Sequence, residues 1–342
     1  MKLLRELYAI HSESGHEKKM RKYIRKWINT NVADVDIVTD ASGNLLVTKG
    51  VAEDYPCIVA HMDQVQDKHE GDFHSYIMDG KIFGFSASAM KMRGLGADDK
   101  NGIWVALKCL EKYPVMKCAF FVGEEIGCVG SEKVDMDFFD DCRWVVQCDR
   151  KGSSDLITVA GGTVLCSDEF LVAIGKERFG YQEEHGLMTD VMTLKDRGLK
   201  VSCVNMSCGY YRPHTDEEYT KLDDLENCLA FVEWIVENVK DIYPHEYDAV
   251  KDWGGYAFGY GSEYGSFYAD YYGKDKWKDW YLSDDELADE VCEYLTWQPG
   301  ATDEEVYEEM HWYTERPKSE VMQLIRACRA ELALIEAEAR EA

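Results

Sequence analysis

The chain has 342 residues, 46% of them hydrophobic, long enough for one large α/β domain with an added module or for two ordinary domains. Its formal net charge of -27 and isoelectric point near 4.7 exclude a nucleic-acid partner and disfavour an anionic membrane surface, because phosphate binding needs clustered Lys and Arg. Twelve cysteines occur without any CxxC spacing, several of them (Cys57, Cys109, Cys118, Cys148, Cys203) inside apolar runs, so they read as small buried hydrophobes of a reducing, cytoplasmic compartment and not as a disulfide or zinc-thiolate framework.

The opening MKLLRELYAIHSESGHE carries Arg5 and Glu6 where a secretion signal needs an unbroken apolar stretch, and no later run reaches membrane-spanning length. Residues 1 to 30 predict two helices broken at SESGHE, where Ser12 and Ser14 offer caps and Gly15 relaxes the backbone. DVDIVTD and NLLVTKG predict a hairpin around ASGN. The apolar run Tyr55 to Asp63 predicts a buried strand, followed by a polar loop, a further loop at Met90 to Arg93 and an amphipathic helix from Asp98 to Lys112. Strands follow in MKCAFFVG and RWVVQCDR, then a β-rich DLITVAGGTVLC, a helix in GLMTDVMTLKDRGL, a strand in KVSCVNMSCG and a helix in LDDLENCLAFVEWIVENVKD. Strands with near-continuous apolar cores, alternating with helices, imply an α/β fold with a mostly parallel central sheet flanked by helices.

Composition changes near Tyr243. Residues 246 to 282 are rich in Gly, Tyr and Trp and hold neither period for long, as a linker or a packed loop would. Residues 283 to 342 predict a small acidic helical appendage, with Ser283 and Thr302 capping its first two helices.

Open α/β sheets place their chemistry at the carboxyl ends of strands. IVAHMD ends on His61 and Asp63, GLGADDKNG presents Asp98 and Asp99 at a helix start, AFFVGEE ends on Glu124 and Glu125, VVQCD ends on Asp149, and CGYYRPHT supplies His214. Taken singly, Asp98 reads as a helix cap, Asp149 as half of an ion pair with Arg150, and each histidine as an ordinary hydrogen-bonded residue. Taken together, His61, Asp98, Glu125, Asp149 and His214 match a binuclear divalent-metal site built from imidazole and carboxylate ligands. Burying so many carboxylates without cations would cost many kcal/mol or force protonation.

The pair Glu124-Glu125 stands apart from Glu183-Glu184, Glu217-Glu218, Glu304-Glu305 and Glu308-Glu309, which lie in polar surroundings, because an apolar strand delivers it. One carboxylate can ligate while its neighbour, Glu124, handles a proton as general base. Asp63, two residues beyond His61 on the same strand face, is placed to accept the second imidazole N–H. His69, His74 and His185 have no partner at metal-site spacing, and His185 in EEHG reads as a helix start and not as an HExxH zinc motif. Arg93, Tyr210, Tyr211 and Arg212 are candidates to line a pocket.

In SESGHE, DASGNLLVTKG, HMDQV, GADDKNG, EEIGCVGSE, CDRKG and GYYRPHTDEEYTKLDDLENC the chain resembles the co-catalytic, di-zinc metallo-exopeptidase superfamily, which includes peptidase T, the zinc aminopeptidases and the acyl-amino-acid amidohydrolases. The resemblance implies a metallopeptidase catalytic domain over residues 1 to 245 holding two divalent ions, zinc expected, cobalt or manganese also suited. One would be held by His61, Asp98 and Asp149 and the other by Asp98, Glu125 and His214, with Asp98 bridging, a cis Asp98-Asp99 peptide and Glu124 as base. The interval from Arg150 to Pro213 is too short for the lid and dimerisation domain that peptidase T and many amidohydrolases insert there. The expected activity is that of an aminopeptidase on short peptides. An N-acyl-amino-acid amidohydrolase with the same metal site is the alternative within the class, and a non-catalytic binding or assembly protein on a peptidase scaffold is the alternative outside it.

Overall fold

In the computed structural model the described residues are 1–68, 71–246, 248–249, 284–297, 299–310, 314 and 316–341; His69, the cap expected at Ser283 and most of the Gly/Tyr/Trp-rich stretch lie outside them. The chain divides into two compact units, Met1–Gly265 and Ser266–Ala342.

The first unit opens with helices α1 (Lys2–Tyr8) and α2 (Lys18–Asn31), and a hairpin of β1 (Val35–Thr39) and β2 (Leu45–Lys49) leads to β3 (Tyr55–His61). Three short strands, β4 (His74–Met78), β5 (Lys81–Ser86) and β6 (Lys91–Arg93), precede α3 (Ala97–Lys112) and β7 (Met116–Phe121). Beyond α4 (Val129–Lys133) come β8 (Cys142–Arg150), β9 (Asp155–Ala160), β10 (Thr163–Val164), α5 (Asp168–Ile174), β11 (Gln182–Gly186), α6 (Asp190–Asp196) and β12 (Cys203–Ser207). The unit ends with β13 (Tyr210–Tyr211), β14 (Tyr219–Lys221), α7 (Leu222–Asn238) and β15 (Asp248–Ala249).

A ten-stranded sheet runs in the order β1-β2-β7-β3-β8-β12-β9-β10-β15, with β11 beside β9. Its centre, β7-β3-β8-β12, is parallel, and the strands added on either side are largely antiparallel. Every residue of β3 is buried, and alternate residues feed two different cores. Ile58 and Ala60 join Phe120, Trp144 and the apolar faces of α1, α2, α3 and α7, whereas Cys57 and Val59 join Phe121, Val145 and the α6 side. Each large apolar side chain so buried contributes about 1.5–3 kcal/mol, and this two-sided burial is why the strands carry unbroken apolar runs.

Between Arg150 and Pro213 the chain forms β9 to β12, α5 and α6 within this sheet and its layers, so no inserted lid domain is present there. All twelve cysteines are free, and all but Cys292 are buried. No helix among the described residues is long and apolar enough to cross a membrane.

Several local expectations are corrected. The region read as a polar loop, with Met90 to Arg93, forms β4, β5 and β6, which join β13 and β14 in a five-stranded sheet. The hairpin turns at Asp79-Gly80, both with positive φ (50° and 72°), and β4 is mostly exposed, so its apolar signal is weak. His185 lies in β11, parallel to β9, and not at a helix start; that strand is largely exposed and polar, so it lacks the apolar alternation that marks a strand. Neither Ser12 nor Ser14 caps α2, whose N-cap is Glu17; Ser12 is fully buried and Ser14 instead hydrogen-bonds Asp63. Asp63 lies beyond the end of β3, on the loop that follows.

The second unit comprises α8 (Asp284–Trp297), α9 (Asp303–Met310) and α10 (Lys318–Glu341) around Leu287, Val291, Leu295, Val306, Met310, Val321, Ile325 and Cys328. Thr302 caps α9 in a capping box, its hydroxyl accepting from the Glu305 N–H at 3.3 Å while the Glu305 carboxylate accepts from Thr302.

Candidate metal centre

The parallel strands deliver their last polar residues to one edge of the sheet. His61 ends β3, Glu124 and Glu125 follow β7, and Asp149 lies at the end of β8. Asp98 stands at the start of α3, where it and Asp99 depart from helical geometry and their shared peptide bond is cis, as the resemblance implies. Gly96 allows the turn into this segment: its φ is 59°, and a Cβ there would come within 2.7 Å of Gln64 Oε1.

His61 Nε2 lies 3.2 Å from Asp98 Oδ1, 3.6 Å from Asp149 Oδ1 and 4.0 Å from Glu124 Oε2. His214 Nε2 lies 3.3 Å from Asp98 Oδ2 and 3.2 Å from Glu125 Oε1. The two oxygens of Asp98 are therefore divided between two imidazoles. Candidate ligand atoms of His61, Asp98 and Asp149 all lie within 4.8 Å of one another, as do those of Asp98, Glu125 and His214. All five residues singled out in the sequence thus converge, with Glu124 beside them and Asp63 beneath His61.

Electrostatics show what this crowding costs. Burial raises Glu124 and Asp149 well above the ordinary carboxylate range, reinforced in Glu124 by Asp149 and in Asp149 by Asp98. Burial and then Asp98 raise Glu125 to about 7, against the pull of His214. For His61 burial opposes the charged form, yet Asp149, Asp63 and Asp98 together raise it well above its usual value. Burial also opposes ionisation of Asp98, but its contacts with His214 and His61 hold it far below the usual range.

Glu125 Oε1 is buried and, despite its approach to His214, has no partner in hydrogen-bonding geometry. Hard oxygen donors, imidazole nitrogens and an orphaned buried oxygen within one cluster suit divalent cations, which would offset the mutual repulsion.

A second layer holds these groups in place. His61 Nδ1 lies 3.1 Å from the Asp63 carbonyl oxygen and 3.3 Å from its Oδ1. The Asp63 carboxylate accepts the backbone N–H of Glu124 at 3.0 Å, that of Glu125 at 3.2 Å and the Ser14 hydroxyl at 2.7 Å. One buried carboxylate thus orients the histidine and sets the backbone of both glutamates. Asp99 accepts the N–H of His61 at 3.2 Å and of Gly102 at 2.9 Å. Glu17 accepts the N–H of Gly123 at 3.0 Å.

Glu218, grouped by sequence with the glutamate pairs in polar surroundings, is fully buried and accepts the N–H of Ala97 at 3.0 Å and of Asp98 at 3.2 Å. That placement corrects its surface reading. The motif DEEY gives no apolar context, and the partner amides are supplied only by the folded α3 segment. Arg150, the partner considered for Asp149, instead pairs with Asp155 at 3.3 Å.

No known protein family's profile matches the chain, and no curated protein matches it. Solved structures do. Aminopeptidase PepT from Bacillus cereus matches at 16% identity and a TM-score of 0.55 over 68% of this chain and 96% of that one. A tripeptidase from Staphylococcus aureus matches at 14% and 0.54, covering 69% and 96%. The aminopeptidase APDkam598 from the archaeon Desulfurococcus kamchatkensis matches at 17% and 0.52, covering 69% and 94%. At these identities the likeness is one of fold: the chain shares the α/β fold of these solved structures, and its residue cluster lies where the parallel strands end.

Proposed function

We propose that the protein is a metal-dependent hydrolase of peptide bonds, an aminopeptidase that uses two divalent ions and a glutamate base, with catalysis assigned to residues 1 to 245 and the acidic helical region 283 to 342 outside it. The observation that carries this reading is the division of the Asp98 carboxylate between His61 and His214, with Asp149 completing one group and Glu125 the other. His61, Asp98 and Asp149 would hold one ion and Asp98, Glu125 and His214 the second, with zinc favoured and cobalt or manganese also suited to these donors. Bound there, the ions supply Lewis acidity to a water and to the substrate carbonyl.

The protein's own groups do the rest. Asp63 accepts the Nδ1 proton of His61, which fixes the ring's orientation and would leave Nε2 to ligate an ion beside Asp98 and Asp149. Glu124 is held by its backbone N–H on Asp63 and keeps its carboxyl beside the cluster without belonging to either ligand group. Its raised proton affinity, caused first by burial, suits a group that takes a proton from the attacking water and passes it to the departing amine. Glu125, the adjacent residue, points to His214, so the two neighbours have separate tasks.

The test is a substrate panel with and without chelator. Release of amine from aminoacyl-anilides, abolished by chelation and absent with N-acetyl amino acids, is the expected result. Turnover of N-acetyl amino acids alone would replace the reading with that of an amidohydrolase.

A further inference from the structure

The His61 side of the centre rests on buried amides to which none of the sequence motifs points. Asp149 Oδ1 faces His61 and lies 3.4 Å from the Tyr210 hydroxyl. Its Oδ2 accepts from Gln147 Nε2 at 3.0 Å. Gln147 precedes Asp149 by two residues on β8, hence on the same face, and is fully buried. The same Nε2 donates to Asp190 at 3.3 Å, and Oε1 accepts the Thr189 hydroxyl at 2.7 Å and the Val191 N–H at 3.1 Å. All of the amide's donors and acceptors are engaged, so it cannot flip without losing bonds at both ends.

On the neighbouring strand Asn205 is the register partner of Gln147, and the pairing of β12 with β8 shifts just beyond it. The shift releases the Asp149 backbone from the ladder, and the Asn205 side chain takes over both of its groups. Its Oδ1 accepts the Asp149 N–H at 2.9 Å, and its Nδ2 donates to the Asp149 carbonyl at 2.9 Å and to Thr189 Oγ1 at 3.0 Å. From Asp190 the network reaches the Ser131 hydroxyl at 2.5 Å, on the helix that follows Glu124 and Glu125.

We propose that Gln147 and Asn205 are positioning residues for the metal-binding role of Asp149, an inference that rests on the two-ion reading above. Gln147 occupies Oδ2 and leaves Oδ1 toward His61 and Asp98, while Asn205 sets the backbone from which the carboxylate projects. Neutral amides suit the task. A cation in place of Gln147 would compete with the ion for Asp149, and a carboxylate there would add repulsion between Asp149 and Asp190.

The test titrates metal-free, full-length protein with Co²⁺, followed by calorimetry and visible absorption. Wild type is expected to take up two equivalents. In Gln147→Met, which keeps the volume but removes the donors, one equivalent should weaken about 10- to 100-fold while the other keeps its affinity. Asn205→Leu should weaken the same equivalent and serves if Gln147→Met does not fold, as judged by melting of the metal-free protein. Two equivalents in wild type with unchanged affinity in the variants, or equal weakening of both equivalents, overturns the positioning role alone. Fewer than two equivalents in wild type overturns the two-ion reading and this inference with it.

Discussion

The two groups that share Asp98 differ in how the fold supplies them. His61 and Asp149 project from β3 and β8, with side chains 0% and 7% exposed, and both are held from behind, His61 by Asp63 and Asp149 by Gln147 and Asn205. Glu125 and His214 come from loops; His214 sits at φ 63° and its side chain is 45% exposed. The first group is held by the sheet and desolvated, whereas in the second Glu125 is about as buried as Asp149 and His214 alone opens to solvent. Rigid strand ends are suited to fixing geometry, and loops to admitting exchange.

The largest effect should come from the residue that belongs to both groups. Asp98→Ala is expected to reduce metal content after dialysis toward zero and peptide turnover to background, measured by elemental analysis and anilide hydrolysis. Two ions retained in that variant would break the shared-carboxylate picture. Next in size, Glu124→Gln should keep both ions and lose about 10²- to 10⁴-fold in kcat. Glu125→Gln should instead lose affinity for one ion, so the adjacent glutamates fail in different ways. Loss of metal from Glu124→Gln would remove the distinction between them.

A smaller contrast separates the two histidines. His214→Ala opens a half-exposed position, so added imidazole should restore several-fold activity by filling it. His61→Ala leaves a sealed hole beneath Asp98 and Asp149, so imidazole should restore nothing, and the variant should melt at lower temperature. Equal rescue of both variants, read from turnover against imidazole concentration, would show that burial does not separate the two groups.

Much of this comparison is legible in the sequence, and the reason is physical. A strand buried on both faces shows as an unbroken apolar run, so the polar residue that ends it stands out, as His61, Glu124 and Glu125 do. The supporting layer is harder to read. Glu17 and Glu218 lie in charged, polar surroundings and become buried acceptors only when the fold brings the amides of Gly123, Ala97 and Asp98 to them. The sheet of β4, β5, β6, β13 and β14 is missed because its strands are short and half solvated. Gln147 and Asn205 did carry a signal: each is the one amide among buried, mostly apolar strand residues, in RWVVQCD and CVNMS, where burial without partners is too costly to persist.

The smallest expected effect is a pH signature that sharpens the contrast between the two sides. In metal-free protein Glu17, Glu125 and Glu218 are raised from 4.5 to about 7, each chiefly by burial. Between those values the folded state binds more protons than the unfolded, so stability falls as pH rises from 4.5 to 7 and the loss is complete above. His214 is raised from 6.5 to about 10, first by Asp98 and Glu125, so its contribution is full below 6.5 and disappears as pH climbs through 10. The melting temperature of chelated protein should therefore decline from pH 4.5 to 7, whereas above that the His214 loss is set against a gain from Lys100, which burial lowers to about 7. His214→Ala should remove the His214 loss, so that the variant falls less than wild type between pH 6.5 and 10, and should lessen the pull that holds Glu125 down. Saturating metal should flatten the parts that belong to Glu125 and His214 and leave those of Glu17 and Glu218, which lie in the supporting layer. A profile unchanged by metal would mean that these groups titrate without reference to the ions.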